Sequence, residues 1–199
     1  MNAVHKKERD VTMPKIIENP QAIILEHAGR ILEEQGYEAL SMRAIAKSCG
    51  IATGTIYNYF PTKRELLLQM MTDYWEIHFT VIDNLSAGRE DLFAKLKCIF
   101  DIMEKFVLRF RDVWTGMRQE NENINGAGDM HHSHDYMRRL VDLVEFILVR
   151  EEQSNSFAYN YPLPARELAS FIVQNYLAIC HMKNLSYSSW ELLLQKVLR

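Results

Sequence analysis

Apolar positions recur at intervals of three and four along almost the whole 199-residue chain, the spacing that places side chains on one face of an α-helix. Alternating apolar and polar runs bounded by turn residues, the mark of strands, are missing, and the pattern predicts an all-α fold. A first helix opens at Asn19-Pro20, with asparagine as cap and proline at the first helical position. It presents Ile24, Ala28, Ile31 and Leu32 on one face and stops at Gly36, after which Tyr37 and Leu40 close down on that face. Ser41 caps a second, short helix carrying Met42, Ile45 and Ala46. Gly50 ends it, as the residue that most readily takes a left-handed turn. A third helix begins three residues later. Pro61-Thr62 breaks the chain again, and Thr62 with Glu65 forms a capping box for the helix KRELLLQMMTDYWEIHFTVIDNL. The N-terminal part is thus a pair of short helices joined by a tight turn and flanked by two longer ones.

Beyond residue 85 the periodic runs lengthen. Leu92, Leu96, Ile99, Met103, Phe106 and Phe110 form one stripe, and Met137, Leu140, Val141, Val144, Ile147 and Leu148 another. Between them the polar, glycine-punctuated stretch GMRQENENINGAGDMHHSHD predicts a loop, and SNSFAYNYPLP marks a further break. Leu168 to Met182 is apolar on more than one face, while Trp190, Leu193, Leu194, Val197 and Leu198 make a narrow stripe. The resulting division is a flexible tail over 1–18, a helix-turn-helix domain over 19–66, and a larger helical domain over 67–199. Two helices too apolar to be wetted on all sides predict a homodimer through a four-helix interface that includes Phe171, Trp190, Leu194, Val197 and Leu198.

Composition narrows the function. A net charge of −3 excludes a uniformly basic nucleic-acid coat, yet residues 41–64 hold Arg43, Lys47, Lys63 and Arg64 and no acid. Four cations clustered on an acidic protein point to a localised polyanion contact. The three cysteines, Cys49, Cys98 and Cys180, are odd in number and sit among apolar neighbours, which predicts buried free thiols and a reducing, cytoplasmic setting. No apolar run reaches the about 18 residues needed to span a bilayer, and MNAVHKKERDVTMPK lacks the apolar core of a signal peptide.

The cationic stretch includes GIATGTIYNYFPTKREL. Two helices joined by a glycine turn can lay the second in the major groove while the first braces it across the backbone. The hydroxyls of Thr53, Thr55, Tyr57 and Tyr59 are suited to phosphate oxygens, Lys63 supplies charge, and Gly54 lets the backbone approach the sugar-phosphate chain. Ile45, Ala46, Ile51, Ile56 and Phe60 are core positions. The ring of Tyr59 suits either packing or contact, and Arg64 reads as a solvated or ion-paired residue.

The segment ILEEQGYEALSMRAIAKSCGIATGTIYNYFPTKRELL resembles the N-terminal domain of the TetR family of transcriptional regulators, over about residues 20–70. The resemblance rests on Gly36-Tyr37, on AIAKSCGI, and above all on GTIYNYF followed closely by a lysine. It implies DNA contacts at Arg43, Thr53, Thr55, Tyr57, Asn58, Tyr59 and Lys63, a palindromic operator, a homodimer, and a second domain enclosing a small molecule. Many relatives carry serine then lysine where this chain has Ala52-Thr53, so Thr53 is expected to cap in place of the alanine. Asn58 stands where histidine is frequent, and its amide suits adenine.

No phosphate-binding glycine loop, nucleophile elbow or metalloprotease helix occurs, which predicts neither an enzyme nor a cofactor. Asp129, His131, His132, His134 and Asp135 invite a metal assignment, but solvated or capping residues on a polar loop account for them, and no metal is assigned. Met103, Phe106, Phe110, Met137 and Tyr176 either fill a core or line a largely apolar effector site, with His78, Asn175 and His181 as its polar groups. The leading reading is a repressor released by a small molecule. Two rivals stay open: a helix-turn-helix protein without an effector, and a helical small-molecule-binding protein with a vestigial DNA-binding domain.

Overall fold

The computed structural model describes residues 19–120, 127–154, 163–182 and 184–198. They form helices α1 (Pro20–Gln35), α2 (Met42–Cys49), α3 (Thr53–Tyr59), α4 (Lys63–Ala87), α5 (Leu92–Glu120), α6 (Ala127–Gln153), α7 (Ala165–His181) and α8 (Tyr187–Leu198), with a 3-10 turn at Tyr37–Ala39. No strand occurs among the described residues. None of the helices is long and apolar enough to cross a membrane. The 1–18 tail lies outside the described residues.

Local chemistry sets most of the helix ends. The Asn19 side chain, on a residue at φ 51°, accepts from Ala22 N–H at 3.3 Å, and Pro20 opens α1. Ser41 accepts from Ala44 N–H at 3.1 Å, and Thr62 from Glu65 N–H at 3.1 Å. The Asp91 carboxylate caps α5 by accepting from Phe93 N–H and Ala94 N–H, at 2.9 and 3.1 Å. Gly36 and Gly50 stop their helices at φ 82° and 68°, a region that costs a residue with a Cβ. Thr53 does not cap α3: it is the first helical residue, Ala52 holds the cap position, and that position makes no side-chain hydrogen bond.

In the stretch 116–135, α5 runs to Glu120 and α6 starts at Ala127; the positions between them, where the expected loop would fall, lie outside the described residues. The expected boundary at 66/67 falls inside α4, which continues unbroken from Lys63 to Ala87. The helix-turn-helix unit and the larger bundle therefore share one helix.

A single core links the two. It runs from Ile24, Ala28 and Tyr37 through Leu66, Met70 and Trp75 to Phe110, Val144 and Ile172. In the bundle, α6 packs most extensively on α7, and α5 touches α4, α6 and α7. Two polar ties fix the far end. Lys95 of α5, almost fully buried, meets Glu151 of α6 at 2.6 Å. Arg150 donates to the carbonyls of Ser86 and Ala87, at 3.0 and 3.1 Å, closing the C-terminus of α4. The three cysteines are free, but each is half-buried rather than sealed. Burial pushes the Cys180 thiol up to about 11, which keeps it protonated and unreactive.

Candidate functional site

The turn between α2 and α3 is tight because Gly50 takes the left-handed conformation and Ile51 N–H returns to Ala46 C=O at 3.0 Å. Ile45, Ala46 and Ile56 point into the core beneath it. That fixes the outer surface by helical geometry. Arg43 and Lys47 of α2 and Tyr57, Asn58 and Tyr59 of α3 are exposed, while Thr53 and Thr55 are half-buried. Both tyrosine rings stand in solvent, 49% and 41% exposed, so neither is a core residue. Lys63, at the first position of α4, is half-buried with its ammonium 3.7 Å from the centroid of the Tyr37 ring. A cation held against a ring face gains up to about 2 kcal/mol when partly desolvated. Arg43, Thr53, Thr55, Tyr57, Asn58, Tyr59 and Lys63 are thus presented by two short helices and the start of a third.

Behind this surface α5 grips the helix-turn-helix unit at two points. Arg109 reaches Glu33 of α1 at 2.8 Å. Gly116 faces Tyr37: a Cβ there would lie 2.0 Å from Tyr37 Cε1, closer than any real contact. Only glycine lets the helix approach the ring.

The same stretch of α5 walls a cavity of about 30 Å³. Its lining is Leu68, Met71 and Trp75 from α4, Phe106 and Trp114 from α5, and Tyr136 and Met137 from α6. A void of this size holds one or two water molecules, far below the about 300 Å³ of a ligand pocket. Leu68, Trp114, Tyr136 and Met137 are only half-buried, so the cavity lies close to the surface. Its polar groups are few. Tyr136 donates to the Thr72 hydroxyl at 2.7 Å, and Thr72 donates to Leu68 C=O at 3.0 Å. Trp75 is wholly buried and its indole Nε1–H meets no acceptor, an arrangement that costs about 1–3 kcal/mol.

Of the residues assigned from sequence to an effector site, Phe106 and Met137 line this cavity. Phe110 stacks on Phe106 behind it, 5.0 Å between centroids, and Met103 is fully buried in the core. Tyr176 lies elsewhere, donating to Leu96 C=O at 3.0 Å within a cluster of Phe100, Tyr187 and Trp190. His78 turns back on its own helix, its Nδ1 2.6 Å from Tyr74 C=O and its ring stacked on Tyr74. Asn175 donates to Phe171 C=O, and exposed His181 bonds Leu177 C=O. Sequence reasoning missed Leu68, Met71 and Tyr136, whereas Trp75 and Trp114 are among the aromatic residues that the sequence offers for a core or a cavity wall. The spacing of Leu68, Met71 and Trp75 along one helix face is the signal that could have found them.

The residues expected at a dimer face differ in their exposure. Leu194 and Leu198 are buried within their own subunit, at 4% and 1% exposure, and have no area left for a partner. Trp190 is half-buried in the aromatic cluster, and the Val197 side chain lies outside the described residues. The apolar groups that α7 and α8 leave in solvent are Phe171, Leu192 and Leu193, at 55%, 62% and 68%. The side chains of Asp129, His131, His132 and His134 are likewise outside the described residues. Among those described, no cluster of His, Cys, Asp or Glu could hold a metal.

Known proteins match both units. Residues 24–70 fit the model of bacterial regulatory proteins of the tetR family. The HTH-type transcriptional regulator YuxN of Bacillus subtilis is 38% identical over 92 residues, 46% of this chain and 32% of its own length. The HTH-type transcriptional repressor KstR of Mycolicibacterium smegmatis is 44% identical over 48 residues, 24% of each chain. The chain thus spans about a third or less of these relatives' length. The fold extends further. A transcriptional regulator from Cytophaga hutchinsonii superposes with a TM-score of 0.66 at 19% identity, over 91% of this chain and 95% of its own. The regulator FadR of Bacillus subtilis, in complex with stearoyl-CoA, gives 0.57 at 18% identity, over 89% and 90%. Residues 24–70 thus match the tetR family of bacterial regulatory proteins, and the all-α fold behind them matches that of solved transcriptional regulators.

Proposed function

We propose that this protein is a homodimeric cytoplasmic repressor. It reads a palindromic operator with α2 and α3 and is released when a small, largely apolar molecule opens the cavity between α4, α5 and α6. The observation that carries the reading is the double use of α5. Phe106 and Trp114 wall the cavity, and Arg109 and Gly116, on the same few turns, grip Glu33 and Tyr37 of the reading unit. A ligand that pushes α5 outward shifts that grip. It changes operator affinity only through its unequal affinity for the two arrangements, and about 1.4 kcal/mol of coupling gives a tenfold effect. That KstR is a repressor and that FadR holds stearoyl-CoA support both halves of the reading. One observation favours a regulator without an effector: the closed cavity is only about 30 Å³. Tryptophan fluorescence titrations with a panel of apolar ligands, with operator binding followed in parallel, separate the two.

Arg43, Thr53, Thr55, Tyr57, Asn58, Tyr59 and Lys63 are proposed to meet the duplex, with Lys63 on a phosphate. Lys63→Ala should weaken binding to all sequences alike and lower the slope of log affinity against log salt by about one. Unchanged affinity and slope in the folded variant would remove Lys63 from the interface.

Phe171, Leu192 and Leu193 are proposed as the partner face. Leu193→Glu should give folded monomers that lose palindromic sites, whereas Leu194→Glu should unfold the subunit, because it buries a charge. Dimers of Leu193→Glu in sedimentation would move the interface elsewhere.

Gly116→Ala should force Tyr37 aside, destabilise the protein by about 1–3 kcal/mol as overpacking does, and weaken operator binding. Full stability with full operator affinity would show that this contact does not couple the units.

A further inference from the structure

The proposed phosphate contact at Lys63 stands in an unusual place for a cation. Lys63 is the first residue of α4, where the partial positive charge of a helix N-terminus disfavours a positive side chain. A surface lysine there would swing its four-carbon stem freely into solvent. Lys63 is instead half-buried, and its ammonium lies 3.7 Å from the centroid of the Tyr37 ring. The face of an aromatic ring is its negative pole, so the ring offsets what the helix end costs. It also confines the ammonium to one place. An ammonium has three N–H donors, so contact with a ring face does not exclude contact with an oxygen.

The ring, in turn, is placed by the larger domain. Tyr37 is buried, 5% exposed, in the 3-10 turn between α1 and α2. A Cβ on Gly116 of α5 would lie 2.0 Å from Tyr37 Cε1, 2.4 Å from Cδ1 and 2.6 Å from Cζ, so the backbone of α5 bears directly on the ring. A second close approach lies about two turns earlier on α5. There the Arg109 guanidinium passes beside Gly29 of α1, where a Cβ would come within 3.2 Å of Nη2, and reaches Glu33. A displacement of α5 at Gly116 changes the space open to the Tyr37 ring, and that ring carries the Lys63 charge.

We propose that Tyr37 is a positioning residue for DNA binding. Its ring, set by the close approach of Gly116, holds the Lys63 ammonium where it meets a backbone phosphate, and makes that one contact depend on the position of α5. The proposal rests on the reading of Lys63 as a phosphate contact, and it needs no effector. A packing role for Tyr37 alone would be felt by every DNA contact alike. A positioning role is felt only while Lys63 is present.

A double-mutant cycle on the full-length protein tests this. The probe is a mixed-sequence duplex about two helical turns long, since a phosphate contact acts on all sequences. Tyr37→Leu should weaken binding about threefold or more, the margin of one cation–π contact, and should weaken Lys63→Ala no further. Tyr37→Phe, which keeps the ring, should restore the lost affinity. Gly116→Ala should lose less in the Lys63→Ala background than in the wild type. Nuclear magnetic resonance gives a second readout on the unmutated protein, and it decides alone if Tyr37→Leu does not fold. The Lys63 methylene signals, assigned with Lys63→Ala, should lie upfield in the ring current of Tyr37, both in the free protein and on the duplex. Equal losses from Tyr37→Leu with and without Lys63 would overturn the positioning role, as would Lys63 signals that return to ordinary positions on the duplex. If Lys63→Ala alone binds like the wild type with the same salt slope, the assignment of Lys63 to the DNA fails, and the positioning role with it.

Discussion

The absence of a side chain at Gly116 is the constraint on which the two halves of the molecule depend. It lets α5 come within contact of the Tyr37 ring, and that ring in turn carries Lys63 on its face. A single close approach thus connects the middle of the larger domain to the first residue of α4 and to the edge of the proposed DNA-reading surface. Arg109 and Glu33 add a second contact two turns away, but the pair is largely solvent-exposed and contributes little on its own. Packing sets the relation of the units, and charge refines it. Because α4 crosses from one unit to the other without a break, a displacement of its far end reaches the helix-turn-helix unit through rigid backbone rather than through a linker.

The interior of the larger domain is nearly full, and this shapes how the proposed effector can act. Trp75, Phe79, Met103 and Phe110 leave almost no free space around the small cavity, so a ligand has to create its own room. The energy of doing so is what couples binding to movement. A roomy cavity would take a ligand without strain and transmit nothing. The far end of the bundle does not share this adaptability. There the buried Lys95–Glu151 pair and the Arg150 cap tie α4, α5 and α6 together.

The sequence made much of this legible, for reasons that differ by element. Caps at Asn19, Ser41 and Thr62 and the stops at Gly36 and Gly50 are local chemistry, and local chemistry survives folding. The exposed face of α2 and α3 is readable because their apolar positions are few and regularly spaced. Thr53 suggests a cap because alanine is a poor one, yet the chain keeps Ala52 there without any side-chain bond. The cavity and the partner face are harder. Whether an apolar residue fills a core, lines a void or meets a second subunit depends on neighbours far away in sequence. Tyr176 and Phe106 look alike along the chain, but one lies among Phe100, Tyr187 and Trp190 and the other at the cavity wall. Leu193 and Leu194 are adjacent, and a rotation of about 100° between neighbouring helix positions separates an exposed residue from a buried one. Periodicity identifies a face only when that face has a single purpose.

The central claim is that two copies of this chain read DNA together, each through α2 and α3. Selection of preferred sequences from random duplex DNA by the full-length protein tests it most directly. The account predicts an inverted repeat whose half-sites lie about one helical turn apart, roughly 10 base pairs from centre to centre, as two-fold symmetry requires. Recovery of an isolated half-site, of a direct repeat, or of no preferred sequence at all would contradict it.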